Sequence, residues 1–260
     1  EIIFEEFGKC HIGVIGDYCL DAYWTLDVGE REHSVETGKP THAVMGQRYS
    51  LGGAANIVAN LAALEVGSVH AFSVIGDDLF GRELLSQLDQ LGVERSGIVQ
   101  DADWQTAVYC KRYHGAEELE RIVIGRFNSV QAEAEQQLLQ AIESAMRGLD
   151  VLIFNGQISG GVYSDTLFKR LLELAADKDG CQIVLDFRVL PPHFKNMIVK
   201  LNANEAASYY GDTWDVDMAI PEGKVKGYAE HIFEESQRQV MITRGARGLL
   251  IYDGETHHTI

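Results

Sequence analysis

A mostly parallel α/β sheet flanked by helices is the fold class this chain predicts, and three observations carry it. Short apolar runs that end in glycine, asparagine or an acid recur along the whole length. Between them lie stretches whose apolar residues follow helical spacing. Those stretches are about 10–15 residues long, which suits crossover helices between parallel strands. The 260 residues can bury a core without staples. No internal repeat or low-complexity linker divides them, so residues 1–260 read as one domain.

His11-Ile12-Gly13-Val14-Ile15-Gly16 is a buried strand closed by glycine. Asp17 comes next at its carboxyl end, where ligands collect in open α/β sheets. A carboxylate there can accept from two sugar hydroxyls, and so can Asp21. The plainer alternative is that one caps a turn and the other is solvated. Residues 25–46 are polar and lack helical periodicity, and a strand within 41–50 leads into Gly52-Gly53. Those glycines allow backbone angles closed to other residues and a close approach by a ligand. The next helix has Ile57, Leu61 and Leu64 on one face and Asn56 and Asn60 on another. Asn56 stands in its first turn, beside free N–H groups and the positive end of the dipole.

Strands are expected at 69–75, 106–113, 119–124, 151–154, 182–186, 198–201 and 240–243, and helices at 79–91, 131–147, 162–176 and 224–237. Residues 249–252 begin a hairpin turned at Asp253-Gly254. Arg112 and Arg126 could meet a sugar phosphate, or serve as solvated edge charges that deter aggregation.

The composition excludes some classes. Twenty-two basic against 39 acidic residues give a net charge of −17, which argues against nucleic acid and anionic membranes. It leaves room for an anionic substrate held by a few cations in one pocket. No apolar run is long enough to span a bilayer, and no leader is visible at Glu1. Cys10, Cys19, Cys110 and Cys181 are scattered without zinc or redox spacing, which reads as reduced thiols in a cytoplasmic protein. No Gly-x-Gly-x-x-Gly stands after the first strand, which disfavours a dinucleotide oxidoreductase.

The segment Gly52-Gly53-x-x-Asn56 running into an Ala-rich helix resembles the first signature of the ribokinase-like (PfkB-type) carbohydrate kinases. Val74-Ile75-Gly76-Asp77-Asp78-x-x-Gly81 and Leu91-Gly92-Val93 are similar to the segments downstream of that signature in the family. The opening Gly16-Asp17-Tyr18-Cys19-Leu20-Asp21-x-Tyr23-Trp24 is most similar to the branch that phosphorylates heptose 7-phosphate. The resemblance implies a small β-sheet lid from about residues 22–50 and 105–126, transfer of a phosphoryl group from ATP with Mg2+, and a sugar or sugar phosphate acceptor. It also allows a homodimer through the lid. Carried onto this sequence, it assigns Asp17, Asp21, Gly52, Gly53, Asn56 and Arg112 to the sugar. It assigns Asn204, Thr243, Gly245 and Gly248 to the nucleotide and Glu205 to the metal.

Two of these matches are open in detail. Thr243-Arg244-Gly245-Ala246-Arg247-Gly248 resembles the nucleotide-binding Thr-x-Gly-x-x-Gly, and is also an ordinary turn before a hairpin. In Asn202-Ala203-Asn204-Glu205-Ala206-Ala207 the family's Asn-x-x-Glu is complete only when read from Asn202; helix capping by Asn204 explains the same letters. The family's Gly-Ala-Gly-Asp turn, which carries its catalytic base, does not occur in these residues. His257-His258 has no glycine-rich helix start beside it and reads as strand. A truncated kinase is the expectation; a carbohydrate or nucleotide binder that has lost catalysis is the alternative.

Overall fold

The computed structural model describes residues 6–29, 32–158, 161–176, 180–215 and 218–260; the leader reading at Glu1 lies outside them. The main sheet has nine strands in the order β14-β13-β12-β11-β10-β9-β1-β4-β5. They are β1 (His11–Gly16), β4 (Ser68–Gly76), β5 (Glu94–Asp101), β9 (Val151–Gly156), β10 (Gln182–Phe187), β11 (Ile198–Asn202), β12 (Val240–Thr243), β13 (Leu249–Tyr252) and β14 (His257–Thr259). From β5 to β12 all neighbours are parallel, and β12, β13 and β14 pair antiparallel. Parallel neighbours need crossovers, and the helices supply them: α1 (Ala54–Ala63), α2 (Leu79–Gln90), α3 (Ala132–Ala145), α4 (Asp165–Ala175), α5 (Ala203–Tyr210) and α6 (Glu222–Ser236).

Each strand sends alternate side chains to opposite faces. Leu152 and Phe154 of β9 join Leu138 and Ile142 of α3, Leu167 and Leu171 of α4, and Val225 and Ile232 of α6 in one core. Ile153 points the other way, into a second core with Val58 of α1, Leu84 and Leu88 of α2, and Leu20 of the small sheet. Burying a side chain of this size is worth about 1.5–3 kcal/mol, so the strand alternation itself sorts the helices between the faces.

The small sheet orders β3-β2-β6-β7, with β8 also on β6. It comprises β2 (Tyr18–Leu26), β3 (Val44–Gly53), β6 (Ala107–His114), β7 (Glu117–Glu118) and β8 (Ile122–Ile124). β2 leaves β1 after a single residue, Asp17. It pairs antiparallel with β3 and parallel with β6.

Two strands differ from the sequence reading. β2 was not read as a strand, because it lies within the opening motif from Gly16 to Trp24. β5, Glu94-Arg95-Ser96-Gly97-Ile98-Val99-Gln100-Asp101, hides because it is the edge of the main sheet and only Gly97 and Val99 are buried. The segment Gly76-Asp77-Asp78-x-x-Gly81 is a splice between the sheets. Asp78 caps α2, accepting from Gly81 N at 2.7 Å, and its other oxygen accepts from Thr106 N at 2.9 Å. A side chain at Gly81 would lie 2.1 Å from the Gly76 carbonyl. The four cysteines are free, with Cys19 and Cys110 buried. Among the described residues, no helix is long and apolar enough to cross a membrane.

Candidate functional site

A cavity of about 540 Å³ opens between the small sheet and the carboxyl ends of β9 to β12. The small sheet contributes Cys19, Asp21, Tyr109, Lys111 and Arg121, and the start of α1 contributes Gly53, Asn56 and Ile57. The strand ends contribute Asn155, Gln157, Asp186, Arg188, Lys200, Asn202, Glu205 and Thr243. A cleft of this size suits a small ligand.

At the small-sheet end, Asp21 pairs with Lys111 at 3.1 Å, and Lys111 also donates to the Tyr23 hydroxyl at 3.2 Å. Burial pulls the Lys111 ammonium down, but the bonds and charges of Asp21 and Tyr23 outweigh it and hold it above the ordinary lysine range. In the β2–β6 register Asp21 faces Tyr109 and Tyr23 faces Lys111, so these four share one face. Arg112, one residue on, is turned to the opposite face and spends its guanidinium on the Glu120 carbonyl at 2.8 and 3.1 Å. The expectation for Arg112 is therefore corrected: period-two alternation puts Lys111 in the cavity instead. Arg126 is exposed and lies outside the lining. Arg121 does line the cavity, with its Nε on Glu118 at 2.7 Å.

Gly53 precedes α1 with φ 55° and ψ −134°, a region open in practice to glycine alone. A Cβ there would sit 2.3 Å from the Asp17 carbonyl, which accepts from Ala54 N at 3.0 Å. Gly52 is buried behind it against Cys19 and lies outside the lining. Asn56 is exposed in the first turn of α1, on the cavity wall.

Asp17 is a correction. Its carboxylate is only 4% exposed and is absent from the cavity wall. It accepts from the backbone N–H groups of Gln157 at 2.8 Å, Ile158 at 2.8 Å and Val162 at 2.9 Å. Burial pushes the carboxyl above its usual range, against the pull of those three donors. Asp17 thus ties down the chain after β9 and stands off the cavity wall.

At the floor, Asn155 is 3% exposed. Its Nδ2 donates to the Asp186 carboxylate at 3.1 Å and, weakly, to the Asp186 carbonyl at 3.4 Å. The other Asp186 oxygen is held by Lys200 Nζ at 2.9 Å. The Asn155 Oδ1 is buried and accepts no hydrogen bond among the described residues, a loss of about 1–3 kcal/mol if nothing meets it. Arg188 donates from Nε to Gln157 Oε1 at 3.1 Å.

At the far end, Asn202 and Glu205 form a reciprocal capping box on α5. Asn202 Oδ1 accepts from Glu205 N at 2.9 Å, and Glu205 Oε2 accepts from Asn202 N at 2.8 Å. The motif is therefore read from Asn202. Asn204, expected both as cap and as nucleotide ligand, is exposed on the helix and off the wall. Burial raises the Glu205 carboxyl, the bond from Asn202 lowers it, and Asp186 raises it again; the outcome is a raised group. Thr243 lines the cavity. Gly245 and Gly248 flank an exposed turn outside it, and Gly248 is glycine for packing: a Cβ would meet the Ile260 carbonyl at 1.8 Å.

Among the described residues, no three His, Cys, Asp or Glu side chains converge into a metal cage. Mg2+ does not need one: it keeps several waters and takes one or two carboxylates with substrate phosphates. Asp186 and Glu205, on one wall and electrostatically coupled, suit that demand. Sequence reasoning missed Lys111, Arg121, Asn155, Gln157, Arg188 and Lys200. The signal for Asn155, Gln157 and Arg188 was their place at or just past β-strand ends; Lys111 carried none short of the β2–β6 register.

Comparison with known proteins gives a consistent picture. The family model described as pfkB family carbohydrate kinase matches residues 18–260. The bifunctional protein HldE of Gluconobacter oxydans is 26% identical over 253 residues, which cover 96% of this chain and 51% of that protein. HldE of Pelobacter propionicus is 32% identical over 174 residues, 64% of this chain and 34% of that one. The chain thus spans about half the length, or less, of the curated relatives it matches. Escherichia coli phosphofructokinase-2 superposes with a TM-score of 0.73 at 19% identity, covering 96% of this chain and 79% of that one. Arabidopsis thaliana ribokinase, solved with ribose and ATP, gives 0.70 at 16%, covering 97% and 78%.

Proposed function

The chain belongs to the pfkB family of carbohydrate kinases, and on that premise we propose that it transfers the γ-phosphoryl group of ATP to a hydroxyl of a sugar or sugar phosphate, with a heptose phosphate as the preferred acceptor class. The observation that carries the proposal is the polarity of one continuous cavity. Groups that read hydroxyls, Asp21 and Asn56, stand at the small-sheet end, and a capped helix start with Thr243 stands at the other. Between and around them lie Lys111, Arg121, Arg188 and Lys200, in a chain whose net charge is −17.

Phosphoryl transfer asks a protein mainly for positioning and charge neutralisation. Asp21, oriented by Lys111, would accept from acceptor hydroxyls, and Asn56 would fix the sugar against α1. Arg188 and Lys200 would meet phosphate oxygens. Asp186 and Glu205 would hold the waters of Mg2+, which supplies charge neutralisation when bound with ATP. The small sheet would act as a lid over the acceptor, within a single ribokinase-like unit. The opening motif from Gly16 to Trp24 supports the heptose branch. The Gly-Ala-Gly-Asp turn is not among residues 1–260, so no residue here is assigned as the base.

The test is ADP release by the complete gene product with Mg2+ and ATP, over ribose, fructose 6-phosphate and a seven-carbon sugar 7-phosphate. Turnover confined to the seven-carbon compound is the expected result. Turnover with ribose alone would remove the heptose assignment. Sugar binding without turnover on any of the three would replace the kinase with a carbohydrate binder.

A further inference from the structure

Gln157 carries an inference about how one cation of the cavity is presented, and it rests on the kinase reading above. β9 and β10 end side by side, with Gly156 opposite Phe187. The next residue on each strand, Gln157 on one and Arg188 on the other, lines the cavity. Arg188 N donates to the Gly156 carbonyl at 3.2 Å, so its backbone is tied to the neighbouring strand. Its side chain is tied there too, with Nε donating to Gln157 Oε1 at 3.1 Å. The Gln157 amide has one orientation that serves both of its bonds. Its Nε2 donates to the Asp186 carbonyl at 3.1 Å, which only a donor can meet, and its Oε1 meets a guanidinium, which has only donors.

A guanidinium is a planar fork. With Nε committed to Gln157, the edge formed by the two terminal nitrogens is left over, and neither has a partner among the described residues. Yet two carboxylates, Asp186 and Glu205, stand on the same cavity wall. Asp186 is paired with Lys200 instead. Glu205 feels the Arg188 charge without an ion pair to it, and so does Tyr109 on the small sheet. The cation therefore stands between the two ends of the cavity, held off both carboxylates.

We infer that Gln157 is a positioning residue, which holds Arg188 so that the edge carrying its two terminal nitrogens stays open to two oxygens of one phosphoryl group. Paired donors in one plane match that group in a way a point charge does not. Without the Gln157 amide, the side chain is free to swing onto Asp186 or Glu205. The fork is then lost, and a carboxylate meant for other work is neutralised. A lysine at position 188 has no plane to orient, so it gains nothing from Gln157.

The experiment is a double-mutant cycle on the complete gene product with Mg2+, ATP and the best acceptor of the three-sugar panel. Wild type, Gln157→Leu, Arg188→Lys and the double variant are compared. Gln157→Leu should lower kcat about 10- to 100-fold, the scale of a hydrogen bond to a charged group, with KM for the sugar unmoved. In the Arg188→Lys background the same substitution should cost less than about twofold. Equal losses in both backgrounds, or a wild-type kcat in Gln157→Leu, overturn the inference while the kinase reading stands. If no sugar is turned over, the kinase reading fails. Titration calorimetry with inorganic pyrophosphate then decides Gln157 alone. Gln157→Leu should weaken binding about tenfold with arginine at 188 and leave it unchanged with lysine there. Equal affinity in wild type and Gln157→Leu, or no binding in either, overturns the inference. Gln157→Ala, which also lacks the acceptor, is carried in parallel should the leucine variant not fold.

Discussion

Lys111 Nζ lies 3.1 Å from Asp21 Oδ1, on a diagonal across the parallel β2–β6 pair of the small sheet. Its ammonium is held above the ordinary lysine range. A lysine with a raised native pKa contributes stability that is complete below its unfolded pKa, about 10.4, and is lost as pH rises through the native value. The Lys111 ammonium therefore stays charged through neutral pH. Lys111→Met should lower kcat/KM for the sugar by about 10- to 100-fold by releasing Asp21, while stability changes by no more than about 1 kcal/mol. Steady-state kinetics and calorimetry on the same preparation check both halves, and a collapse in Tm with normal kinetics would contradict the orienting role.

The Asn202–Glu205 box separates a helix cap from a metal contact. Gln serves a capping box as well as Glu does, so Glu205→Gln should leave thermal stability within about 0.5 kcal/mol. The Mg2+ concentration for half-maximal activity should rise roughly tenfold, the loss of a contact worth about 1.4 kcal/mol. An unchanged Mg2+ requirement would confine Glu205 to the helix.

Glu205 also sets a pH limb. Its native pKa is raised, so the native state keeps the proton at pH values where the unfolded chain has lost it, and stability falls as pH rises through that window. On the proposed role of Glu205, Mg2+ would compete with the same proton. The apparent Mg2+ affinity should weaken on acidification at a pH above the ordinary glutamate value of about 4.3, and this limb should be absent from Glu205→Gln. Titrating Mg2+ at a series of pH values for both proteins measures it.

Asn56 is exposed and, through its place in the first turn of α1, reaches the cavity without supporting the core. Asn56→Ala should raise KM for the sugar at least about tenfold and leave Tm in place, surface substitutions of this kind being within about 0.5 kcal/mol. Unchanged sugar affinity would remove Asn56 from the site.

Asp17→Asn predicts the reverse pattern. An amide in place of the carboxylate turns a donor toward backbone N–H groups that need an acceptor. A loss of about 2–4 kcal/mol is expected, read as a lowered denaturant midpoint, whereas KM for ATP should hardly change. A stable variant with selective loss of sugar binding would return Asp17 to the ligand.

The fold was legible where the chain obeys period rules: β1, β4, β9, β10 and β12 are apolar runs, and the helices between them show their buried faces. Of the residues expected at the site, Asp21, Gly53, Asn56, Glu205 and Thr243 line the cavity, each placed by its position at a strand end or helix start. What escaped was information that exists only across strands. No spacing within 107–114 says that Lys111 rather than Arg112 faces Asp21; the β2–β6 register decides it. Asp17 stands in the same motif as Asp21, yet the chain after β9 claims its carboxylate from far away in sequence. The choice between Asn202 and Asn204 turned on a reciprocal pair of hydrogen bonds, which one-dimensional reading of Asn-Ala-Asn-Glu could not rank.

The parallel pairing of β2 with β6 has a consequence for how the molecule is made. β2 and β3 can close locally, but β6 reaches β2 only after β4, α2 and β5 have been synthesised and laid down. Non-local pairings of this kind bear loop-closure entropy before they are rewarded, and they form slowly. Asp21 and Lys111 thus meet late in folding: a nascent chain can bury both cores' first strands and cap its helices while the acceptor end of the cavity does not yet exist.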